Sequence, residues 1–459
     1  MSKIFNVRLP NAATVNYSPE QFDQLIRSLE QVIFQLNNTY TPVTSENALG
    51  ALSWFESRGE SEVESIFTST SLDAFGRLRV SSPYTIFDSQ NRYQKDPQFD
   101  EALTGSGTAT FLANEAAVEM EVTSASGDEV VRQTKRVFPY QPGKSLLVLA
   151  TFTMAEGEEN LRQRVGYFNA DNGVFFQQND DVLSFVIRTY TGGSASDART
   201  ITQANWNTDK LDGTGPSGVT LDETKTQILF MDFEWLGVGS VRCGFVIDGQ
   251  YLVAHVFHNA NSLTEVYMQT AILPIRYEIT TTGAISGTKS MKQICSSVVS
   301  EGGYERRSTL TWARETTETT GITTSFYPLV SIRLKSTNLG AVVIQNGYSF
   351  MPTSASDYFE VALIRNATLT AASFASLSTN VEFDTAATAM SGGTIVKVDF
   401  TSSGVLSSTP FNEVSTYNFA LQLGVTIGGT SDIYTLAVRT ITGTGDGIGA
   451  LSFWDLTDS

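Results

Sequence analysis

Apolar positions along the chain follow two different periods. Over residues 18–37 they recur at helical spacing. Phe22, Leu25, Leu29, Val32 and Leu36 are separated by 3, 4, 3 and 4 residues, and Ile26 and Ile33 widen the stripe. Ser18 is a good N-cap, Pro19 sits at the first helical position and Gln21 completes a capping box. Asn37-Asn38 and Pro42 close the segment. The spacing predicts one amphipathic helix about 28 Å long. No second strong helix lies nearby in sequence to receive its stripe. Two outcomes stay open: packing on its own domain, or a short parallel bundle formed by copies of the chain, which is the favoured one.

Residues 45–70 read as an acidic linker, with Glu56, Glu60, Glu62 and Glu64 set among Ser and Thr. The Trp54-Phe55 pair inside it is suited to docking on a neighbouring surface. From about residue 71 the period becomes two. Short β runs are expected at 116–122, 146–154, 182–190, 228–235, 241–247, 251–257, 267–273 and 276–281, with Gly, Asn, Asp and Ser in nearly every gap. Asp248-Gly249, between two of these runs, is a strong hairpin signal. Further strands are expected at 329–334, 341–345, 359–364, 394–400, 417–423 and 433–440. The expected class is mainly β. An N-terminal anchoring segment (1–70) precedes a jelly-roll or β-sandwich domain (71–310) and a second β-sandwich domain (311–459).

Composition narrows the function classes. The 459 residues carry 48 acidic and 30 basic side chains, a net charge of −18. That balance argues against nucleic acid as a partner, because phosphate neutralisation needs a basic surface. Charge is sparse after residue 310, where 18 of 149 residues are charged. Two cysteines, Cys243 and Cys295, cannot staple a chain of this length. Two histidines leave little material for a metal site or a Ser/His/Asp apparatus. Met1–Pro10 is interrupted by Asn6 and Arg8 and has no signal-peptide core, and no window approaches a membrane span. Assembly in the cytoplasm of the producing cell, without membrane insertion, is expected.

Candidate chemistry is thin. His255 and His258 are three apart on an expected strand and therefore on opposite faces, so they form no metal pair. Asp232 and Glu234 share a strand face, as paired glycosidase carboxylates do, but the third acidic position of that arrangement holds Leu236 or Gly237. A buried, inert Cys243 is expected. Gly443–Ala450 overlaps a nucleotide-loop pattern, yet too little chain follows it, and a turn is expected there. No catalytic, cofactor or metal residue is assigned. Aromatic residues and polar strand ends around the hairpin, namely Trp235, Asp248, Asn259 and Asn261, are the candidates for contact with a glycan.

Several stretches carry a resemblance. Leu72-Asp-Ala-Phe-Gly76-Arg-Leu-Arg-Val80 is followed by Phe87-Asp-Ser-Gln90. Phe233-Glu-Trp-Leu-Gly-Val-Gly239 is followed by Gly244-Phe-Val-Ile-Asp-Gly249. His255-Val-Phe-His-Asn-Ala-Asn261 precedes Leu273-Pro-Ile-Arg-Tyr-Glu278. They resemble virion structural proteins of marine and cyanobacterial tailed phages, well over 70–310 and more loosely to the C-terminus. The run from Trp235 through Asp248-Gly249 to His255 is similar to concanavalin A-like jelly rolls. The resemblance implies a non-enzymatic virion component: a tail fibre, a baseplate or nozzle part, or a head appendage. It implies a homotrimer or ring joined through the helix stripe, docked on other tail or head proteins. The alternative is a receptor-binding module for host surface polysaccharide, and a more remote one is a depolymerase using Asp232 and Glu234.

Overall fold

The computed structural model of the chain describes residues 82–305, 310–354, 357–403 and 419–457, together with Asp23, Ile26, Arg27 and Leu29. The chain divides into two units, residues 1–81 and 82–459. In the first unit Asp23, Ile26, Arg27 and Leu29 are helical and exposed. The remaining stripe positions Phe22, Leu25, Val32, Ile33 and Leu36 lie outside the described residues, as do the linker 45–70 and the stretch 72–80.

The second unit is built almost wholly of antiparallel strands. In chain order the first fifteen are β1 (Tyr84–Gln90), β2 (Phe99–Thr104), β3 (Thr108–Leu112), β4 (Ala117–Val122), β5 (Glu129–Thr134), β6 (Leu146–Thr153), β7 (Leu161–Phe168), β8 (Gly173–Asn179), β9 (Val182–Thr189), β10 (Ser196–Thr202), β11 (Gln227–Phe233), β12 (Val241–Ile247), β13 (Gln250–Phe257), β14 (Ile275–Thr281) and β15 (Lys289–Ser300). They form two sheets. One runs β13-β12-β11-β6-β15-β4-β3, with β1 also paired to β15; the other runs β10-β9-β8-β7-β14-β5-β2. About half of the neighbouring strands are distant in sequence, the rest being joined as hairpins. Alternation sends one set of side chains from each sheet into a common core. Phe152 of β6 meets Phe176 of β8 at 6.0 Å between ring centroids, Tyr167 of β7 meets Phe233 of β11 at 5.6 Å, and Phe245 of β12 meets Phe176 edge-on at 5.1 Å. Each such ring, fully buried, contributes about 1.5–3 kcal/mol of hydrophobic stabilisation.

A second sandwich follows. Its strands are β16 (Leu310–Glu315), β17 (Thr319–Ile322), β18 (Tyr327–Leu334), β19 (Val343–Pro352), β20 (Tyr358–Arg365), β21 (Thr368–Thr370), β22 (Ala375–Ser376), β23 (Val381–Asp384), β24 (Ala389–Ser391), β25 (Thr394–Ser402), β26 (Ile433–Thr440) and β27 (Gly445–Asp455). The long β27 pairs with β16 and β17 on one edge and with β19 on the other, facing a sheet ordered β22-β23-β18-β26-β20-β25. The two sandwiches share a core: Val342, Ile344, Phe419, Trp454 and Leu456 belong to the hydrophobic cluster of the first. Backbone and side chain ties join them as well. Val425 N–H donates to Lys135 O (2.7 Å), Gln422 Nε2–H to Val137 O (2.9 Å) and Ile427 N–H to Asp100 Oδ2 (2.8 Å).

Three local expectations need correction. Residues 267–273 are not a strand. Tyr267 and Met268 are buried in an irregular crossing, and the only ladder contact there is the bridge Phe138–Leu273. An apolar run can satisfy burial without pairing. Within 417–423 the described residues form a 3₁₀ turn at Phe419–Leu421. The expected turn at 443–450 is confined to its start. Gly443 has a positive φ, and Gly445 begins β27, where Gly447 and Gly449 leave room for the Phe350 ring and the Leu329 side chain.

Candidate functional site

The outer face of the seven-stranded sheet carries a cluster of arginines joined by ion pairs. On β7 the odd positions Leu161, Val165 and Tyr167 enter the core, so Arg162, Arg164 and Phe168 face outward. By the same alternation Phe175 and Gln177 of β8, Ser184, Val186 and Arg188 of β9, and Arg276 and Glu278 of β14 share that face. The strand register aligns them. Glu278 is opposite Arg164, Arg164 opposite Gln177, Gln177 opposite Ser184, and Ser184 opposite Thr202 of β10. A row of polar side chains therefore crosses five adjacent strands, about 19 Å at the usual strand spacing.

Asp197 joins this face through a β-bulge. Four residues of β10, Ser196 to Arg199, span three of β9, Thr189 to Ile187. The extra residue reverses the alternation, so Arg199 lies over the interior Phe257 ring while Asp197 turns out to Arg188. Arg188 grips Asp197 through two bonds of 2.8 Å, from Nε and Nη2.

Glu278 is the hub. Its side chain is 3% exposed and receives Arg276 Nη2 at 2.8 Å, Arg162 Nη2 at 3.1 Å and Arg164 Nη1 at 3.4 Å. Arg164 Nε also donates to Gln177 Oε1 at 2.7 Å, and Arg276 Nη1 to Gln133 Oε1 at 3.2 Å. Burial pushes the Glu278 carboxyl up, but the three guanidiniums outweigh it and hold it below the usual range. Burial pulls the Arg164 guanidinium down to about 10 against the attraction of Glu278, so it stays charged at neutral pH. Beneath lies an aromatic floor. Phe168 and Phe175 are fully buried with centroids 4.5 Å apart, Arg164 and Arg188 lie over Phe175, and Arg276 lies over Phe168.

Two polar groups of this face are unanswered. Ser184, 1% exposed, has no hydrogen-bond partner at Oγ, and neither has the buried Arg162 Nε–H. Buried polar groups are nearly always paired, so these two are exceptions on this face. The face opens to solvent along Arg162, Asn179 and Val182, which lie opposite one another on β7, β8 and β9.

The residues expected from sequence to contact a glycan do not form one site. Trp235 is half-buried; its Nε1–H donates to Met268 O (3.1 Å), and its ring stands edge-on to Tyr140. Asn259 is fully buried and braces the adjacent loop, donating from Nδ2 to Gly239 O (2.6 Å). Asn261 is exposed in a turn with φ +58°. Asp248 and Gly249 form the expected turn, with φ of +52° and +76°, at the far end of the β12–β13 hairpin from Asn259. Asp232 and Glu234 do not share a strand face. Asp232 is tied to Arg242 and to the Ser145 hydroxyl, whereas Glu234 lies exposed beyond the end of β11. His258 likewise follows the end of β13 and is exposed rather than half-buried in a strand, while His255 is buried and accepts the Asn207 N–H at Nδ1 (3.3 Å). Cys243 is buried, and burial pushes its thiol up. Among the described residues no three His, Cys, Asp or Glu side chains are grouped to hold a metal, and no helix is long and apolar enough to cross a membrane.

Sequence reasoning missed the arginine face. The spacing Arg162-x-Arg164 and Arg276-x-Glu278 is the one available signal, since it puts each pair on one strand face. Its partners come from four other strands and are not adjacent in sequence.

No protein-family model matches the sequence, and no curated protein matches it. Solved structures similar to about half of the chain include the carbohydrate recognition domain of Emp47p (9% identity, 51% of this chain and 99% of that one, TM-score 0.30). Peanut lectin is another (12% identity, 48% and 98%, TM-score 0.29), as is a Bacillus licheniformis beta-glucanase (10% identity, 50% and 100%, TM-score 0.30). The chain's own strand pairing gives its architecture, a mainly β protein whose first sandwich packs an eight-stranded sheet against a seven-stranded one.

Proposed function

We propose that the chain is a non-enzymatic recognition protein whose first sandwich binds polysaccharide across the outer face of its seven-stranded sheet. The observation that carries this reading is the polar row Glu278–Arg164–Gln177–Ser184–Thr202. Its members Glu278, Arg164, Gln177 and Ser184 are buried, so the row braces the solvent-facing groups beside it, the Arg162 guanidinium and the Asn179 amide, which suit a polyhydroxylated chain. The net charge of −18 disfavours nucleic acid as the occupant. The Phe floor is covered by guanidiniums, so it offers no apolar groove for a lipid or a hydrophobic peptide.

The absence of catalysis is part of the proposal. Glycoside hydrolysis needs a carboxyl group that holds a proton near neutral pH beside a second carboxylate. Glu278 is kept ionised by three guanidiniums, and Asp197 is clamped by Arg188. The setting implied by the sequence resemblance is proposed with it: an outward-facing part of a tailed-phage virion, assembled in the host cytoplasm, self-associated through the N-terminal segment and docked on tail or head proteins.

Immobilised polysaccharides tested with the full chain, with reducing ends assayed in parallel, check the reading. Retention on at least one polysaccharide without new reducing ends is expected. No retention on any overturns recognition, and new reducing ends overturn the non-enzymatic assignment. Immunogold labelling of phage particles tests the virion setting, and unlabelled particles would sink it.

A further inference from the structure

We infer that the polysaccharide taken by this face bears oxyanions, sulfate or carboxylate, and that Arg162 at the rim makes the decisive contact. This rests on the recognition reading above. Four guanidiniums, those of Arg162, Arg164, Arg188 and Arg276, face three carboxylates: Glu278, Asp197 and Asp171, the last acting on Arg188. The patch therefore has one positive charge in excess, on a protein with 18 more acidic than basic groups. An acidic protein repels polyanions in general, so a local cationic excess selects where one can settle.

The donor inventory agrees. A guanidinium offers five N–H donors. Arg162 spends one on Glu278, and its buried Nε–H has no partner. Ser184 Oγ is a second unanswered group on the same face. Uncharged sugars are commonly held by stacking on an exposed aromatic ring, and this face provides none, because Phe168 and Phe175 are fully buried under the arginines. What remains for a ligand is charge and hydrogen bonding, the terms that sulfate and carboxylate use best and that arginine meets with two parallel bonds.

Asp197 shows how the rim works. It is about one-third exposed and occupies the paired donors of Arg188 as a ligand carboxylate would. Its removal frees those donors and raises the charge excess from one to two.

The test measures binding of the full chain to dextran, dextran sulfate and carboxymethyl dextran, which share a backbone and differ in the oxyanion. Retention by one or both modified dextrans and not by plain dextran is expected, with at least a tenfold loss between 50 and 500 mM salt. Arg162→Gln, assayed well below its own thermal midpoint, should weaken binding at least tenfold. Lys225→Gln, an exposed cation on a different segment, should change it less than twofold. Asp197→Asn should tighten binding severalfold, a gain that misfolding cannot produce. Equal retention of plain dextran, no retention of either modified dextran, or equal losses for Arg162→Gln and Lys225→Gln would each overturn the inference. Binding confined to uncharged polysaccharides leaves polysaccharide recognition standing, whereas binding to no polysaccharide of any kind removes both.

Discussion

Glu278 holds three guanidiniums together at a position closed to solvent, and this makes its charge structurally necessary. Glu278→Gln leaves those cations facing one another over a buried amide. A loss of about 3 kcal/mol in urea unfolding is expected, the usual cost of removing one partner of a buried pair. The carboxyl is held below its ordinary value of 4.5, so its contribution is full above that pH and is lost as pH falls through the depressed value. In Glu278→Gln the acid-side decline in stability below pH 4.5 should flatten. His255 acts at a higher pH. Burial, with His258 and Arg199 as weaker contributors, lowers its imidazole from 6.5 to about 4. The neutral form is the folded form, so its contribution is complete above pH 6.5, erodes as pH falls and is gone by about 4. Urea midpoints measured at pH 7 and pH 4.5 should differ less for His255→Phe than for the native chain. The clustering around Glu278 was not readable in the sequence, because its arginines sit 116, 114 and 2 residues away.

At the scale of elements, β7 and β8 decide the site, and neither stands out in the sequence. Both are buried on their two faces: the inner by the core, the outer by Phe168, Phe175 and the arginine layer. A strand covered on both sides loses the polar alternation by which strands are recognised. Gly166 in the middle of β7 is required by close approach. A Cβ there would lie 2.4 Å from Val174 O and 2.6 Å from Phe175 Cα, both backbone atoms. Gly166→Ala should therefore force β7 and β8 apart, lowering the thermal midpoint and costing about 3 kcal/mol. The β12–β13 hairpin is the contrasting case. Asp248-Gly249 specifies its turn locally, with both residues at positive φ, and the space around Gly249 is empty. Gly249→Ala should cost only about 1 kcal/mol, from backbone strain alone. Turn chemistry of this kind is visible in two residues, whereas the bulge that turns Asp197 outward is set by register against β9 and leaves no local mark.

For the second unit as a whole, the consequential feature is the core common to both sandwiches. Trp454 and Leu456, at the end of β27, pack in the hydrophobic cluster of the first sandwich together with Phe419. A chain ending at Glu305 would expose that surface and lose the bonds from Gln422, Val425 and Ile427. Calorimetry should show residues 82–459 melting in one transition, and the truncated chain melting lower or aggregating. Two independent transitions in the longer chain would contradict this. A domain boundary near 310 is suggested by the fall in charge, but composition registers solvent exposure of side chains and does not register which buried faces are shared.

Short-range chemistry in the sequence determined the class of this protein: period-two apolar runs, turn residues in the gaps and a scarcity of His and Cys that leaves little for catalysis. It placed the hairpin at Asp248-Gly249 and a buried Cys243. Only the tertiary structure decided which strands adjoin, and so brought Arg162, Arg164, Arg188, Arg276, Asp197 and Glu278 onto one face. Strand order in an antiparallel sandwich follows from burying all the apolar faces at once, and that is a property of the whole chain rather than of any segment of it.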